Sequence, residues 1–282
     1  MKSTVWIGSL LLCSFAAAQQ APAPAPPPTP APTPVSQAKP PREGVEDILS
    51  VTAYYWRPTS GQPGFRAGKF VPDPTSGFLN FPSKPFRADG AMVTFPTGGF
   101  NRLELAYWRV NDSGDVRAPA KLAIFGANIA NNERLNTQYR ITNIRASWNY
   151  LSFPVPPFDA KLRLKSFWEV QYTKFLPTLG FPEAKNSPAP IQPKQSVFYP
   201  GVGLGLEYVA SRNFRLESRG SGMTLPGKGG YYDVEANFVG RISKVEIIGG
   251  IKGYHFHTST KLETKVTSTM WGPMVGVRWV FR

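Results

Sequence analysis

The chain has 282 residues, and its 32 lysines and arginines exceed its 18 acidic residues by 14. Its single cysteine, Cys13, excludes disulfide bonds within the chain and sites built from several cysteines. No stretch approaches 18 consecutive apolar residues, which excludes a transmembrane helix.

Residues 1–18 predict a secretory signal peptide. Lys2 supplies a basic start, an apolar run extends from Val5 to Phe15, and Ala16 and Ala18 form an Ala-x-Ala cleavage pattern. An uncleaved anchor is the alternative, but about 11 apolar residues are too few to span roughly 30 Å of hydrocarbon. A lipid-modified Cys13 is a further alternative, which the two leucines before it do not favour.

Residues 19–45 form a linker rich in proline and alanine. Proline fixes φ and lacks an amide donor, so this segment is predicted to be extended or disordered and to join no sheet. It is interpreted either as a spacer that reaches a partner such as the cell wall or as a passive leader.

From Glu46 onward the sequence predicts an all-β fold of ten strands. Apolar and polar residues alternate with period two, and glycine and proline interrupt the chain too often for long helices. The strands are predicted at residues 47–56, 89–96, 101–110, 139–151, 161–173, 201–209, 214–220, 232–239, 245–257 and 274–282.

The connections alternate between short and long. Those after the even-numbered strands are short turns, near Gly98, Pro156, Ser211 and Ser243. Those after the odd-numbered strands are predicted as loops at 57–88, 111–136 and 177–195, with smaller ones around Gly227 and Thr264. An even number of strands returns both termini to the end with the short turns.

One face of the predicted strands is apolar and aromatic, which favours contact with lipid over a soluble sandwich. The tryptophans beyond the signal segment all lie in or beside strands, and many tyrosines lie near strand ends. We expect these rings to form girdles in the headgroup layers of a membrane. The tryptophans are Trp56, Trp108, Trp148, Trp168, Trp271 and Trp279.

The opposite face carries charges of both signs and is predicted to point inward. A barrel of ten strands has a narrow interior, and burial of an unpaired charge is costly, so these charges are expected to pair across the lumen. The predicted lumen charge network consists of Arg102, Glu104, Arg145, Arg163, Lys165, Glu169, Glu207, Arg215, Glu217, Glu235, Glu246, Lys252 and Arg278. A row of glycines, Gly201, Gly203 and Gly205, is predicted to leave space on one wall.

This arrangement resembles small bacterial outer-membrane β-barrels of the OmpA and OmpX kind over about Glu46 to Arg282. The last strand is similar to the signal that the barrel-assembly machinery reads in such proteins. Its apolar residues Val275, Val277, Trp279 and Phe281 alternate back from an aromatic, although Arg282 follows. The resemblance implies an integral outer-membrane barrel of about ten strands, with eight or twelve as alternatives, and a periplasmic linker and termini. It implies no particular activity.

Three short motifs could form a metal site, a catalytic pair or a calcium site, but each is weakly supported. His255 and His257 share a strand face and need a third ligand to hold a metal. His257 and Ser259 share a face, but about 7 Å separates them, too far for direct activation of a nucleophile. The oxygen-rich segment 111–115 is a calcium loop or a plain turn. We therefore predict no catalytic, metal or cofactor site.

Two function classes remain open for the predicted barrel. It is either a structural or interaction protein with a filled, charged lumen and long loops, or a narrow passive channel for small solutes. A secreted soluble β-sandwich that binds an anionic ligand is the second alternative. Behind a predicted signal peptide the basic excess does not indicate nucleic acid as a partner. It favours outer-membrane lipids and lipopolysaccharide phosphates as partners, or simply soluble loops. Candidate cations are Lys69, Arg87, Lys121, Lys174, Lys228 and Lys261.

Overall fold

A computed structural model describes most of the chain beyond the predicted linker. The described residues are 49–58, 66–68, 78–81, 87–98, 101–153, 161–183, 189–211, 213–259 and 264–281. The predicted signal peptide and linker, residues 1–45, lie outside these ranges. Within them there is no helix long and apolar enough to cross a membrane.

The described residues form fourteen β-strands. Their bounds are β1 Ser50–Trp56, β2 Arg66–Gly68, β3 Phe78–Asn80, β4 Arg87–Pro96, β5 Asn101–Arg117, β6 Leu122–Ile124, β7 Ala127–Ile129, β8 Arg134–Phe153, β9 Leu162–Gly180, β10 Gln195–Ser211, β11 Phe214–Leu225, β12 Gly229–Ile242, β13 Val245–Thr258 and β14 Lys265–Val280.

Ten of these strands close into an antiparallel barrel. The order is β1, β4, β5 and then β8 to β14, and β14 pairs back onto β1 over the whole of Ser50–Trp56. Closure leaves no strand edge with unpaired backbone groups. The predicted barrel of ten strands is confirmed, and the alternatives of eight strands, twelve strands or a soluble sandwich are wrong.

Two small hairpins stand at the end of the barrel that carries the longer connections, here named the loop end. The β2–β3 hairpin adds to β14 through Lys265–Thr267. The β6–β7 hairpin forms a separate two-stranded sheet in the connection between β5 and β8. Its turn residues Phe125 and Gly126 have φ of 52° and 78°, as a two-residue type I′ turn requires.

The barrel strands near the loop end are longer than the sequence pattern predicts. The strand β5 continues to Arg117, β8 begins at Arg134 and β9 ends at Gly180, so the loops predicted at 111–136 and 177–195 are wrong in part. The segment 111–115 lies inside β5 and is neither a turn nor a calcium loop.

The reason is an inversion of polarity along the same strands, which β8 illustrates. Near the loop end its inward residues Tyr139 and Ile141 are buried apolar side chains, and the outward Arg140 is exposed. Farther along, the outward Ile144 and Trp148 are 48% and 45% exposed, while the inward side chains are polar. The apolar face moves from the outside of the barrel to its inside while the strand register stays unchanged. The pattern of outward apolar residues therefore stops at this point, and the strand predicted from it is too short.

The outward apolar residues together form a continuous apolar belt around the barrel. On β14 the belt extends from Trp271 to Phe281, and on β10 from Phe198 to Tyr208. Such a run covers about 36 Å of strand, or about 28 Å along the barrel axis at a tilt of about 40°. This height matches the hydrocarbon thickness of a bilayer.

The tryptophans divide between the two sides of the wall. Trp148, Trp168, Trp271 and Trp279 point outward in the belt, as predicted. Trp56 and Trp108 are buried inside the barrel with their ring centroids 5.7 Å apart, so the prediction of a girdle position is wrong for them. Both share the strand face that carries the inward polar residues, and alternation outweighs the preference of the ring for headgroups.

At two of the three inward glycines of β10 the space is filled by side chains from other strands. A Cβ atom at Gly201 would meet the Tyr231 hydroxyl, and one at Gly203 would meet the Phe167 ring. The prediction that these glycines leave space on one wall is therefore wrong for Gly201 and Gly203, where large neighbours occupy the space, whereas Gly205 lines the lumen cavity.

We predict that Gly201→Ala lowers the free energy of unfolding by about 1–3 kcal/mol, because the new methyl group displaces the Tyr231 hydroxyl. The matched control is Gly240→Ala, whose Cβ would have no atom within 4 Å. Urea unfolding of both variants in detergent checks this. Equal stability of the two variants would contradict the packing described.

Candidate functional site

The lumen of the barrel holds two clusters of charged side chains. The loop-side cluster lies nearer the loop end and the turn-side cluster nearer the short turns. The loop-side cluster consists of Glu104, Arg145, Glu169, Arg219, Asp233, Glu235 and Lys252. The turn-side cluster consists of Arg163, Lys165, Glu207, Arg215, Glu217, Arg241, Glu246 and Arg278.

Arg145 is the centre of the loop-side cluster. Its guanidinium, on β8, lies 2.7 Å from a Glu104 oxygen on β5 and 2.9 Å from an Asp233 oxygen across the lumen on β12. Lys252 on β13 donates to Asp233 at 2.9 Å and contacts Glu235. Because Arg145 is 3% exposed and Asp233 is fully buried, these pairs are shielded from solvent.

Glu169 accepts hydrogen bonds from one charged and three neutral donors in the loop-side cluster. It accepts hydrogen bonds from Arg219 at 2.8 Å, Ser221 at 2.7 Å and Tyr231 at 2.7 Å, and from Gln171 at 2.8 Å. A buried carboxylate needs such a set of donors to offset the loss of hydration. The donors come from β9, β11 and β12, so the bonds span several strands of the wall.

The turn-side cluster contains a closed ring of two arginines and two glutamates. Arg215 reaches both oxygens of Glu246, at 2.8 and 2.6 Å, and Glu217 at 2.6 Å. Arg278 reaches Glu217 at 3.0 Å and Glu246 at 3.1 Å. Arginine forks suit such bidentate contacts with carboxylates. The ring joins β11, β13 and β14, the last of which closes the barrel.

Glu207 extends the turn-side cluster toward β9. Its carboxylate lies 2.5 Å from Lys165 and 3.7 Å from both Arg163 and Arg215. Arg241 approaches Glu246 at 3.9 Å. These contacts complete a chain of opposite charges from one side of the lumen to the other.

A cavity of about 110 Å³ lies between the two clusters. It is lined by members of both, including Arg145, Arg219 and Glu217, and by apolar groups such as Phe167 and Met274. The volume has room for several water molecules but is below that of a typical pocket for an organic ligand.

Above the charged clusters, aromatic side chains bridge the lumen. Tyr254 on β13 contacts Trp108 on β5 with ring centroids 4.9 Å apart. Phe256 on β13 stacks on Phe175 of β9 at 4.8 Å. The Tyr254 hydroxyl lies 2.8 Å from Thr173 Oγ1. Three strands lie between the partners of each ring pair along the wall, so these contacts cross the interior.

The two hairpins complete an apolar cap over the loop end. Buried residues from the hairpins, such as Leu79 and Ile124, pack with inward residues of the wall in one cluster. Phe81, directly after β3, contacts Tyr139 with ring centroids 6.0 Å apart. The amide of Phe125 donates to Thr264 Oγ1, next to β14, at 2.9 Å. The cap resembles the core of a soluble domain, in keeping with polar outward residues at this height.

The structure places the predicted lumen charges on the inner face of the wall. Arg102 lines the cavity, and the other twelve belong to the two clusters. Sequence reasoning missed Asp233, Arg219 and Arg241 as members. For Asp233 and Arg219 the signal was present, since they lie two residues from Glu235 and Glu217 on the same strands.

The predicted assembly residues Val275, Val277, Trp279 and Phe281 point away from the lumen, and each is about half exposed. Their register partners on β1 include Val51 and Ala53, which also face outward. The outward face of the closing strand is therefore part of the apolar belt.

The two histidines face outward, above the belt and away from the lumen. His255 Nδ1 lies 2.8 Å from Thr269 Oγ1, and His257 Nδ1 lies 3.4 Å from the Thr258 carbonyl oxygen. Burial, with His257 and Lys265 nearby, lowers the pKa of His255. In the described part of the chain, no three histidine, cysteine or carboxylate side chains come together to hold a metal ion.

We predict that Arg145→Met lowers the free energy of unfolding by about 3–5 kcal/mol, because it leaves Glu104 and Asp233 buried beside one fewer cation. The control is Arg134→Met, which removes an exposed pair with Asp115 and is expected to cost less than about 1 kcal/mol. Urea midpoints of both variants in detergent measure the difference. A change of similar size in both would contradict a stabilising role for the buried cluster.

The fold is similar to that of the outer-membrane protease OmpT from Escherichia coli, with a TM-score of 0.57 and 10% identity over 84% of this chain and 97% of that chain. The outer-membrane protein OprG from Pseudomonas aeruginosa aligns with a TM-score of 0.39 and 14% identity, over 85% of this chain and 99% of that one. The attachment invasion locus protein Ail from Yersinia pestis aligns with a TM-score of 0.35 and 9% identity, over 84% and 99%.

No family model and no curated protein matches the sequence. At 10% identity, the similarity to OmpT concerns the fold and not the activity. The chain is a closed, antiparallel, ten-stranded β-barrel with the fold of outer-membrane barrel proteins.

Proposed function

We propose that the protein is an integral barrel of the bacterial outer membrane with a closed lumen and a structural or interaction role. The observation that carries the proposal is closure of the barrel at two heights. The apolar cap fills the loop end, and the paired charges fill the interior beneath it. A protein closed in this way acts through its outer surface and its loops.

The apolar belt supports insertion in a membrane. Its large side chains are 36–72% exposed, and a soluble protein rarely leaves so extended an apolar surface in water. Above the belt the outward residues become polar, so this end of the wall stands in water. In the proposed orientation the loop end faces outside, and both termini and the linker are periplasmic. The linker then has access to the cell wall.

The closing strand supports assembly by the barrel-assembly machinery. Val275, Val277 and Trp279 present an alternating apolar face on the strand that pairs with β1. The same strand carries Arg278 into the turn-side cluster, so closure of the barrel also completes the ring of charges.

A narrow channel is the second candidate, and the cavity between the clusters is the observation that favours it. Conduction through the lumen would require displacement of the apolar cap and separation of buried ion pairs. Both steps are costly, so the closed barrel is the better-supported function.

The proposal assigns no catalytic role to the protein. Proteolysis is an activity of OmpT, whose fold is similar. In this chain the imidazoles of His255 and His257 contact a threonine hydroxyl and a backbone carbonyl oxygen, and both rings point away from the lumen.

We predict that the purified full-length protein gives no conductance steps in a planar bilayer, at either polarity. The physical reason is that the cap and the clusters leave no continuous water path. A shift in gel mobility on boiling, measured on the same sample, verifies that the barrel is folded. Steady openings of the folded protein would contradict the proposal and support the channel.

We predict that Val275→Arg, at the centre of the belt on β14, lowers stability in a bilayer by about 2–4 kcal/mol. The control Thr267→Arg changes an outward position of the same strand above the belt and is expected to have little effect. Unfolding of both variants from lipid vesicles measures the difference. Equal effects would contradict the proposed position of the membrane.

A further inference from the structure

Two outward rows of residues, all polar except Leu176, lie directly above the belt on β4, β5, β8, β9 and β10. The lower row joins Asp89, Arg109, Thr142, Lys174 and Ser196 in register. The upper row joins Arg87, Asn111, Arg140 and Leu176. Four of these nine side chains are cationic and one is acidic.

Arg109, Arg140 and Lys174 form a triangle on this surface, here named the basic triangle. Arg140 is diagonal to both of the others on adjacent strands, at about 7–8 Å between Cα atoms. Arg109 and Lys174 are two strands apart, which is about 10 Å. The Arg140 Nε donates to Asn111 Oδ1 at 2.9 Å, which holds that guanidinium in place.

The basic triangle lies at the boundary of the apolar belt. The row beneath it joins Tyr107, Ile144, Tyr172 and Phe198 in register, and these are the last apolar side chains of the belt. Arg109 is two residues from Tyr107, and Lys174 is two residues from Tyr172. That spacing is about 7 Å along a strand, so the cations reach the polar layer above the hydrocarbon.

Directly above the belt, strands β11 to β14 carry fewer outward cations than strands β4 to β9. On β11 to β14 the corresponding outward positions are Thr224, Tyr232, His255, His257, Thr267 and Thr269, and Lys265 lies one outward position higher on β14. The cations are therefore concentrated on one arc of the barrel. A uniform requirement for solubility does not explain such a concentration.

We propose that the basic triangle binds the phosphate groups of lipid A, the phosphorylated glycolipid anchor of lipopolysaccharide in the outer leaflet. This inference rests on the proposed membrane location. Arginine forks bind phosphate oxygens in pairs, and lysine adds a point charge. The acyl chains of the same molecule would pack on Tyr107, Ile144 and Tyr172 below. A soluble polyanion would use the cations but not this apolar row, so the lipid fits the surface better.

Asp89 limits the site on one side. It is the register partner of Arg109 on β4, so its charge opposes an anion placed there. A phosphate is therefore centred toward Arg140 and Lys174. We therefore expect an uncharged residue at position 140 or 174 to weaken phosphate binding more than one at position 109.

The test compares two triple variants of the full chain, folded in detergent and titrated with diphosphoryl lipid A. The first is Arg109→Gln with Arg140→Gln and Lys174→Gln. The matched control, Arg134→Gln with Lys161→Gln and Lys244→Gln, removes the same charge at exposed positions elsewhere on the chain. Native mass spectrometry counts the bound lipid. We expect the first variant to bind at least about tenfold more weakly, and the control to bind as the unchanged protein does.

Dephosphorylated lipid A is the matched ligand, and it is expected to bind the unchanged protein and both variants equally. Undiminished binding of diphosphoryl lipid A by the first variant would overturn the inference. So would an equal loss in the control, or binding of heparin at this surface in preference to lipid A. These results leave the membrane location intact, whereas absence of the unchanged protein from the outer-membrane fraction would overturn the proposed function itself.

Discussion

The alternation of side chains along a strand is fixed, but the surroundings of the wall change along its length. On β8 the same outward parity carries Arg140 near the loop end and Trp148 in the belt. Where the outside is water, the apolar side chains point inward and build a cap. Where the outside is the proposed lipid, they point outward, and the interior must accept the polar ones. The positions of the cap, the clusters and the belt follow from this change from water to lipid outside the wall.

The inward charges then have to neutralise one another. A buried charge without a partner is costly, and removal of one partner from a buried pair destabilises the rest. The clusters meet this requirement with pairs that cross between strands, such as Arg145 with Asp233 and Arg215 with Glu246. In the proposed function, the same contacts that satisfy the charges also block the lumen. Closure is thus a consequence of stability, and it directs the proposed function to the outer surface.

The sequence predicted the number and order of the barrel strands, because alternation is strong in the belt. It also predicted the inward charges, with the exception of residues such as Asp233 whose parity was visible but not used. It did not predict the upper wall, since the polarity inverts there and the residues between Asn111 and Arg117 are typical of turns. The filling of two positions of the glycine row by Tyr231 and Phe167 depends on strands far apart in sequence, which no local pattern reveals.

The most direct test of the polarity change is a spin-label accessibility scan of the outward positions of β8. Single cysteines are introduced at even-numbered positions from 136 to 150 in a Cys13→Ser background, and the labelled protein is placed in lipid vesicles. The account predicts that labels at 144–150 are accessible to oxygen dissolved in lipid and that labels at 136–142 are accessible to a water-soluble nickel reagent. A uniform profile along the strand, or a boundary elsewhere, would contradict it.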